Sequence, residues 1–174
     1  MRTVYFILFL TCFSSCGRNF YIVRHAEKAA ATQSMSKHDA GNPELSDVGK
    51  QRSFALRDRL SRKGITRIFT TRYKRTISTI VPVSERFDVP VSFYSASHDS
   101  LKAFVHKLKY ETSGNILIVG HSNTVDDLVN ELCGAAKLSG DLPENEFDNL
   151  FIVKKRGDRY KLVSRKYGAS SANK

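Results

Sequence analysis

A chain of 174 residues with 41% hydrophobic and 26% charged side chains and 10 glycines has the composition of an ordinary globular domain, which excludes collagen-like and disordered classes. A domain of this size buries about two-thirds of its unfolded surface, so its core needs no disulfide or metal staple. The net charge of +11 would draw nucleic acid, anionic lipid or phosphorylated substrates. The Lys and Arg residues are scattered, with no aromatic stacking pattern, so nucleic acid is not an expected partner and the basic surface reads as a solvated one near a membrane. Four prolines, no low-complexity run and no internal repeat point to one domain.

Arg2 precedes the apolar run from Val4 to Phe13. As a helix that run reaches ~15 Å, about half of the ~30 Å hydrocarbon core, which is too short to span. A basic start, a short apolar stretch and then Ser14, Ser15, Cys16 and Gly17 make up the three regions of a secretory signal, so residues 1–15 are expected to be a signal peptide. Phe13-Ser14-Ser15-Cys16 resembles the lipobox of bacterial lipoproteins. That resemblance implies lipidation of Cys16 as the first mature residue, a single domain over 16–174, and anchoring in a bacterial cell envelope; plain secretion is the alternative. Cys12 would leave with the signal and Cys16 would carry the lipid. Cys133 then has no disulfide partner and reads as a small core residue at an apolar helix end.

Along the rest of the chain, strands and helices alternate. Continuous apolar runs mark strands at Phe20 to Val23, Ile65 to Thr70, Val91 to Tyr94 and Asn115 to Gly120. Helical spacing occupies Ser46 to Ser61, with Ser46 as its cap and Gly64 beyond its end. Arg75 to Phe87, Asp99 to Tyr110 and Thr124 to Leu132 supply three more helices. Such alternation predicts an α/β fold, a three-layer α/β/α sandwich with a mainly parallel sheet. Leu150 to Lys154 and Tyr160 to Ser164 flank Arg156-Gly157-Asp158, which predicts a C-terminal β-hairpin.

Ligands in such sheets sit beyond the carboxyl ends of the strands. Two strong strands run into histidines there, through Val23-Arg24-His25-Ala26-Glu27 and Val119-Gly120-His121-Ser122. A third runs through Thr70-Thr71 into Arg72-Tyr73-Lys74-Arg75 at a helix start. Two imidazoles, several guanidinium groups and helix N-termini converging on one spot suit a phosphate: neutral imidazole attacks phosphorus, and arginine forks clamp the nonbridging oxygens. No cysteine or carboxylate stands at ligand spacing beside the histidines, so neither a metal nor another cofactor is expected. His38, His98 and His106 read as surface residues.

These motifs resemble the histidine phosphatase superfamily, also called phosphoglycerate-mutase-like, and especially its short bacterial branch. Arg24-His25-Ala26 stands for its Arg-His-Gly signature, with Ala26 in place of Gly. Leu45-Ser46-Asp47-Val48-Gly49 matches its leucine, hydroxyl residue and glycine segment. Phe69 to Thr76 resembles its second arginine motif, with the pocket arginine falling on Arg75 and Arg72 reading as a surface residue, and Gly120-His121-Ser122 matches its second histidine motif. The resemblance covers about residues 20 to 135. It implies hydrolysis of phosphate monoesters or phosphoramidates through a phosphohistidine on His25, with Arg24, Arg75 and His121 binding the phosphoryl group of a small substrate. Ser95 and Ser122 stand where many members carry a general acid. Asp99 is the leading candidate for that role and Glu27 a weaker one, with a helix-capping role as the alternative for Asp99. A mutase-like phosphotransferase and a non-catalytic anion-binding lipoprotein are the other readings.

Overall fold

The computed structural model describes residues 17–30 and 41–171. The expected signal peptide, Cys16 and His38 lie outside the described residues. Six strands, β1 (Arg18–Arg24), β2 (Ile65–Thr70), β3 (Val91–Phe93), β4 (Asn115–Gly120), β5 (Asn149–Arg156) and β6 (Arg159–Lys166), form one sheet in the order β3-β2-β4-β1-β5-β6. The first four in that order run parallel, and β5 and β6 form the antiparallel hairpin. Among the described residues four full helices cover the sheet: α1 (Asp47–Leu60), α2 (Lys74–Phe87), α3 (His98–Tyr110) and α4 (Val125–Cys133).

Strands buried on both faces must be apolar at every position, and the alternation of side chains sends successive residues to opposite cores. Phe20 and Ile22 of β1 join Ile116 and Ile118 of β4 under α3 and α4, which contribute Leu101, Val105, Leu128 and Leu132. Tyr21 and Val23 join Leu117 and Val119 on the other face, with Leu56 and Leu60 of α1 and Ile80 and Val83 of α2. Cys133 is a free, half-buried thiol packed against the first of these cores, and burial pushes its pKa up. Among the described residues no helix is long and apolar enough to cross a membrane.

The local sequence sets how α1 approaches the end of β1. The Ser46 hydroxyl caps the helix by accepting from the Gly49 N–H at 3.1 Å, and the Ser46 N–H donates to the Glu27 carbonyl at 2.9 Å. A Cβ on Gly49 would lie 2.2 Å from that same carbonyl, so only glycine lets the helix start this close to the loop after β1.

Candidate active site

The pairing of β1 with β4 puts Arg24 level with Gly120, so the next residue on each strand is a histidine. The His25 N–H donates to the Gly120 carbonyl at 2.9 Å, and the two imidazole rings stand edge to face with centroids 5.5 Å apart. The cleft around them is about 330 Å³ and is lined by Arg24, His25, Tyr73, Arg75, His121 and Glu144, together with Lys28, Ala96 and the turn Ser122 to Thr124. A larger concavity of about 490 Å³ between α3 and α4 is lined by His98, Lys102, Asp127, Asn130 and Glu131 and holds one histidine and no arginine.

His25 is only 4% exposed, and its Nδ1 lies 2.8 Å from the Ala26 carbonyl oxygen. A carbonyl only accepts, so Nδ1 carries the proton and a neutral ring keeps its lone pair on Nε2. Burial, reinforced by Arg24, Arg75 and His121, lowers the His25 pKa to about 3, which keeps the ring neutral at physiological pH. Ala26 is buried, donates its N–H to the Thr79 hydroxyl at 2.9 Å and has no positive φ, so a methyl group in the place of glycine costs nothing here.

His121 is also neutral: burial first, then Arg75 and Arg24, lower its pKa to about 4. Its Nε2 lies 2.9 Å from the Thr71 hydroxyl, which is 3.0 Å from the Thr76 hydroxyl. Thr76 in turn donates to the carbonyls of Thr71 and Tyr73. At the backbone, the His121 N–H donates to the Thr124 hydroxyl at 2.9 Å. A Cβ on Gly120 would come within 2.9 Å of that hydroxyl, so this turn too requires glycine.

The guanidinium groups complete the site. Arg24 is buried, with Nη1 donating to the carbonyls of Pro143 and Glu144 at 2.8 and 3.1 Å, and its plane lies 4.3 Å from the centre of the Phe147 ring. Arg75, at the start of α2, lies 4.4 Å over the Tyr73 ring. The Nε groups of both arginines are buried without a hydrogen-bond partner among the described residues. Both residues line the cleft beside His25, and guanidinium groups placed there suit a bound oxyanion.

The structure therefore brings together Arg24, His25, Arg75 and His121. Asp99 sits exposed in the first turn of α3 and does not line the cleft, although Ala96 does; the residue at the cap position is Ser97. Glu27 is drawn away into an ion pair, with its carboxylate accepting from Arg52 Nε and from Nη2 at 2.7 Å. Arg72 is exposed over Phe93 and outside the cleft, and His98 and His106 are exposed. Sequence reasoning missed Glu144, Tyr73 and Phe147. Glu144 accepts from Arg24 Nη2 at 3.1 Å and from the Ser122 hydroxyl at 3.2 Å, and Arg24 holds its carboxyl below the usual range even though the side chain is 78% exposed. The signal for Glu144 and Phe147 was the connection from Gly134 to Asp148, too long for a tight turn and arriving beside β1. Among the described residues no group of three or more His, Cys, Asp or Glu is placed to hold a metal ion.

Residues 20–96 match the family model of the histidine phosphatase superfamily, branch 1. That span holds Arg24, His25, the α1 cap and Arg75; His121 lies beyond it. Solved structures with the histidine phosphatase fold align along most of the chain. A mycobacterial glucosyl-3-phosphoglycerate phosphatase has 13% identity over 88% of this chain and 100% of its own, with a TM-score of 0.61. A protein assigned as phosphohistidine phosphatase SixA from Agrobacterium tumefaciens has 18% identity over 87% of this chain and 97% of its own, with a TM-score of 0.60. One assigned as an α-ribazole-5′-phosphate phosphatase from Escherichia coli has 12% identity, 87% and 96% coverage, and a TM-score of 0.64. At these identities the likeness is one of fold. A search of curated proteins gives no match.

Proposed function

We propose that this protein is a phosphatase that works through a phosphohistidine on His25. The observation that carries the reading is a neutral imidazole whose Nδ1 is bound to the Ala26 carbonyl, leaving the Nε2 lone pair, in a cleft shared with the guanidinium groups of the buried Arg24 and the half-buried Arg75. The family match and the phosphatase names of the structural neighbours support it.

His25 Nε2 attacks phosphorus in line, forming the N–P bond as the bond to the leaving oxygen breaks. The ring gains positive charge, which the Nδ1–H bond to the Ala26 carbonyl stabilises. Arg24, Arg75 and His121 bind the nonbridging oxygens while charge is redistributed over them. Water then attacks the phosphohistidine, the N–P bond breaks, and His25 returns to its neutral tautomer. Glu144, the one carboxylate among the described residues lining the cleft, is held ionised by Arg24 and accepts the proton of that water.

An ionised Glu144 is a poor acid for the first step, so the site suits leaving groups that need no proton, such as acyl phosphates, phosphohistidine and aryl phosphates. The connection from Arg75 to His121 holds only the rest of α2, β3, α3 and β4, with no added element to enclose the cleft, which favours hydrolysis over phosphoryl transfer to a second substrate. Turnover of a generic aryl phosphate tests the reading. We expect hydrolysis by the wild type and a loss of at least about a thousandfold in His25→Ala with unchanged circular dichroism. An inactive wild type that binds phosphate would instead support a non-catalytic anion binder.

The proposal includes export to a bacterial envelope and a lipid anchor on Cys16, both resting on the sequence of residues 1–16. Cys16→Ser should leave the membrane fraction, and its retention there would remove the anchor.

A further inference from the structure

At the amino ends of the parallel strands, opposite the catalytic cleft, the starts of β1 and β4 meet the end of β5 and the turn between α1 and β2. Two clefts of about 410 and 360 Å³ lie side by side at this end and share Gly17 and Lys155. Between them they are lined by Arg18, Arg62, Lys63, Lys154, Lys155 and Arg156, and neither has an acidic residue in its lining. Arg18 is tied down by the carbonyls of Thr112 and Lys109, and Lys155 reaches the Lys109 carbonyl and the Tyr160 ring. Arg62, Lys63, Lys154 and Arg156 are exposed and make no ion pair among the described residues. Asp158, next to Gly157, is a neighbouring acid, but with no acidic residue among the described lining residues the gathered like charges repel one another, so a face of this kind suits an anionic ligand from outside.

The place where the chain enters the domain indicates which ligand. Gly17 lines both clefts and directly follows Cys16, which itself follows the apolar run from Val4 to Phe13. In the anchored form proposed above, on which this inference rests, a lipid or apolar segment attached there would bring a bilayer to this face. The catalytic end is one strand length away, roughly 20 Å at ~3.3 Å per residue along β1. At the same end of the sheet, two residues before Thr112, Tyr110 exposes 70% of its surface, and an amphipathic ring of this type settles at headgroup level. One exposed ring does not make the row of stacking platforms that a nucleic-acid strand uses.

We propose that this basic end of the sheet is a binding face for anionic phospholipid headgroups, which seats the domain on a bilayer with its catalytic cleft turned toward the water. Each Lys or Arg at such a surface strengthens binding about fivefold, an effect that fades within a Debye length and weakens with salt.

Hydrogen exchange on the full-length chain combined with lipid nanodiscs tests this without reference to turnover. In discs containing phosphatidylglycerol, relative to phosphatidylcholine alone, we expect the segments around 62–64, 112–114 and 154–157 to exchange at least about tenfold more slowly. Exchange at 24–28 and 121–124 should stay the same. The combined Lys63→Glu, Lys154→Glu and Arg156→Glu variant, which leaves the catalytic cleft untouched, should lose the difference between lipids while keeping the wild-type melting temperature. Equal exchange of the wild-type segments in both lipids overturns the proposal. So does protection of the same segments by duplex or single-stranded DNA but not by phosphatidylglycerol, which would assign the face to nucleic acid.

Discussion

One carbonyl fixes the tautomer of His25, whereas at His121 the neighbour is the Thr71 hydroxyl, which can donate or accept. For His121 to donate to a phosphoryl oxygen while neutral, its Nδ1 must carry the proton, and Nε2 must then accept from Thr71. Thr71 is therefore a positioning residue acting through His121. Thr71→Val keeps the shape and removes the hydroxyl, and we expect kcat on an aryl phosphate to fall about tenfold to a hundredfold, less than for loss of His121 itself. Thr71→Ser should restore the rate; a Val variant with wild-type kcat would show that the tautomer is set in another way. Arg24, His25, Arg75 and His121 were legible because strand ends and helix starts mark them locally. Glu144 and Phe147 were not, since they sit in a connection without periodicity and reach the cleft only because β5 returns beside β1. Asp99 shows the converse: its spacing suited an acid, but the helix it opens holds it in solvent.

The elements themselves were legible wherever burial imposed a pattern. β4 has the predicted bounds because a strand covered on both faces is an unbroken apolar run; β2 has them too, although Thr66 and Arg67 are exposed and only Ile65 and Ile68 to Thr70 are buried, and α1 starts where Ser46 caps it. Strand order was not readable, because pairing joins residues about a hundred apart and leaves no local trace; yet it is this order that sets the two histidines side by side. The tail after β6 was likewise unforeseen. Arg52 of α1 is buried, pairs with Glu27, and donates to the carbonyls of Tyr167 and Ala169 at 3.1 and 2.9 Å. The tail continues to Ser171, whose hydroxyl accepts from the Phe147 N–H at 3.0 Å, so one arginine ties the loop after β1 to the segment that covers Arg24. Arg52→Leu leaves the Glu27 carboxylate without this partner in a largely buried place, and we expect a stability loss on the order of 3 kcal/mol in urea unfolding. Lys50→Ala, which removes a solvent-exposed pair with Asp47, should leave the midpoint where it is. Equal effects of the two would mean that the Arg52 cluster is not a fastening point.

At the scale of the whole molecule, the parallel sheet gives the protein two unlike ends. The carboxyl ends of β1, β2 and β4 deliver His25, the Arg75 motif and His121 to one cleft, and the amino ends gather unpaired cations around the point where the chain enters. At the first of these ends, the proposed reaction attacks phosphorus twice in line, once by His25 and once by water. Each in-line displacement inverts the configuration at phosphorus, so two of them restore it. The stereochemical course with an aryl phosphate made chiral by oxygen isotopes, its phosphoryl group transferred to an added alcohol acceptor in place of water, is therefore the most direct measurement. Net retention is the result predicted; net inversion would mean a single direct displacement and would contradict a covalent intermediate on His25.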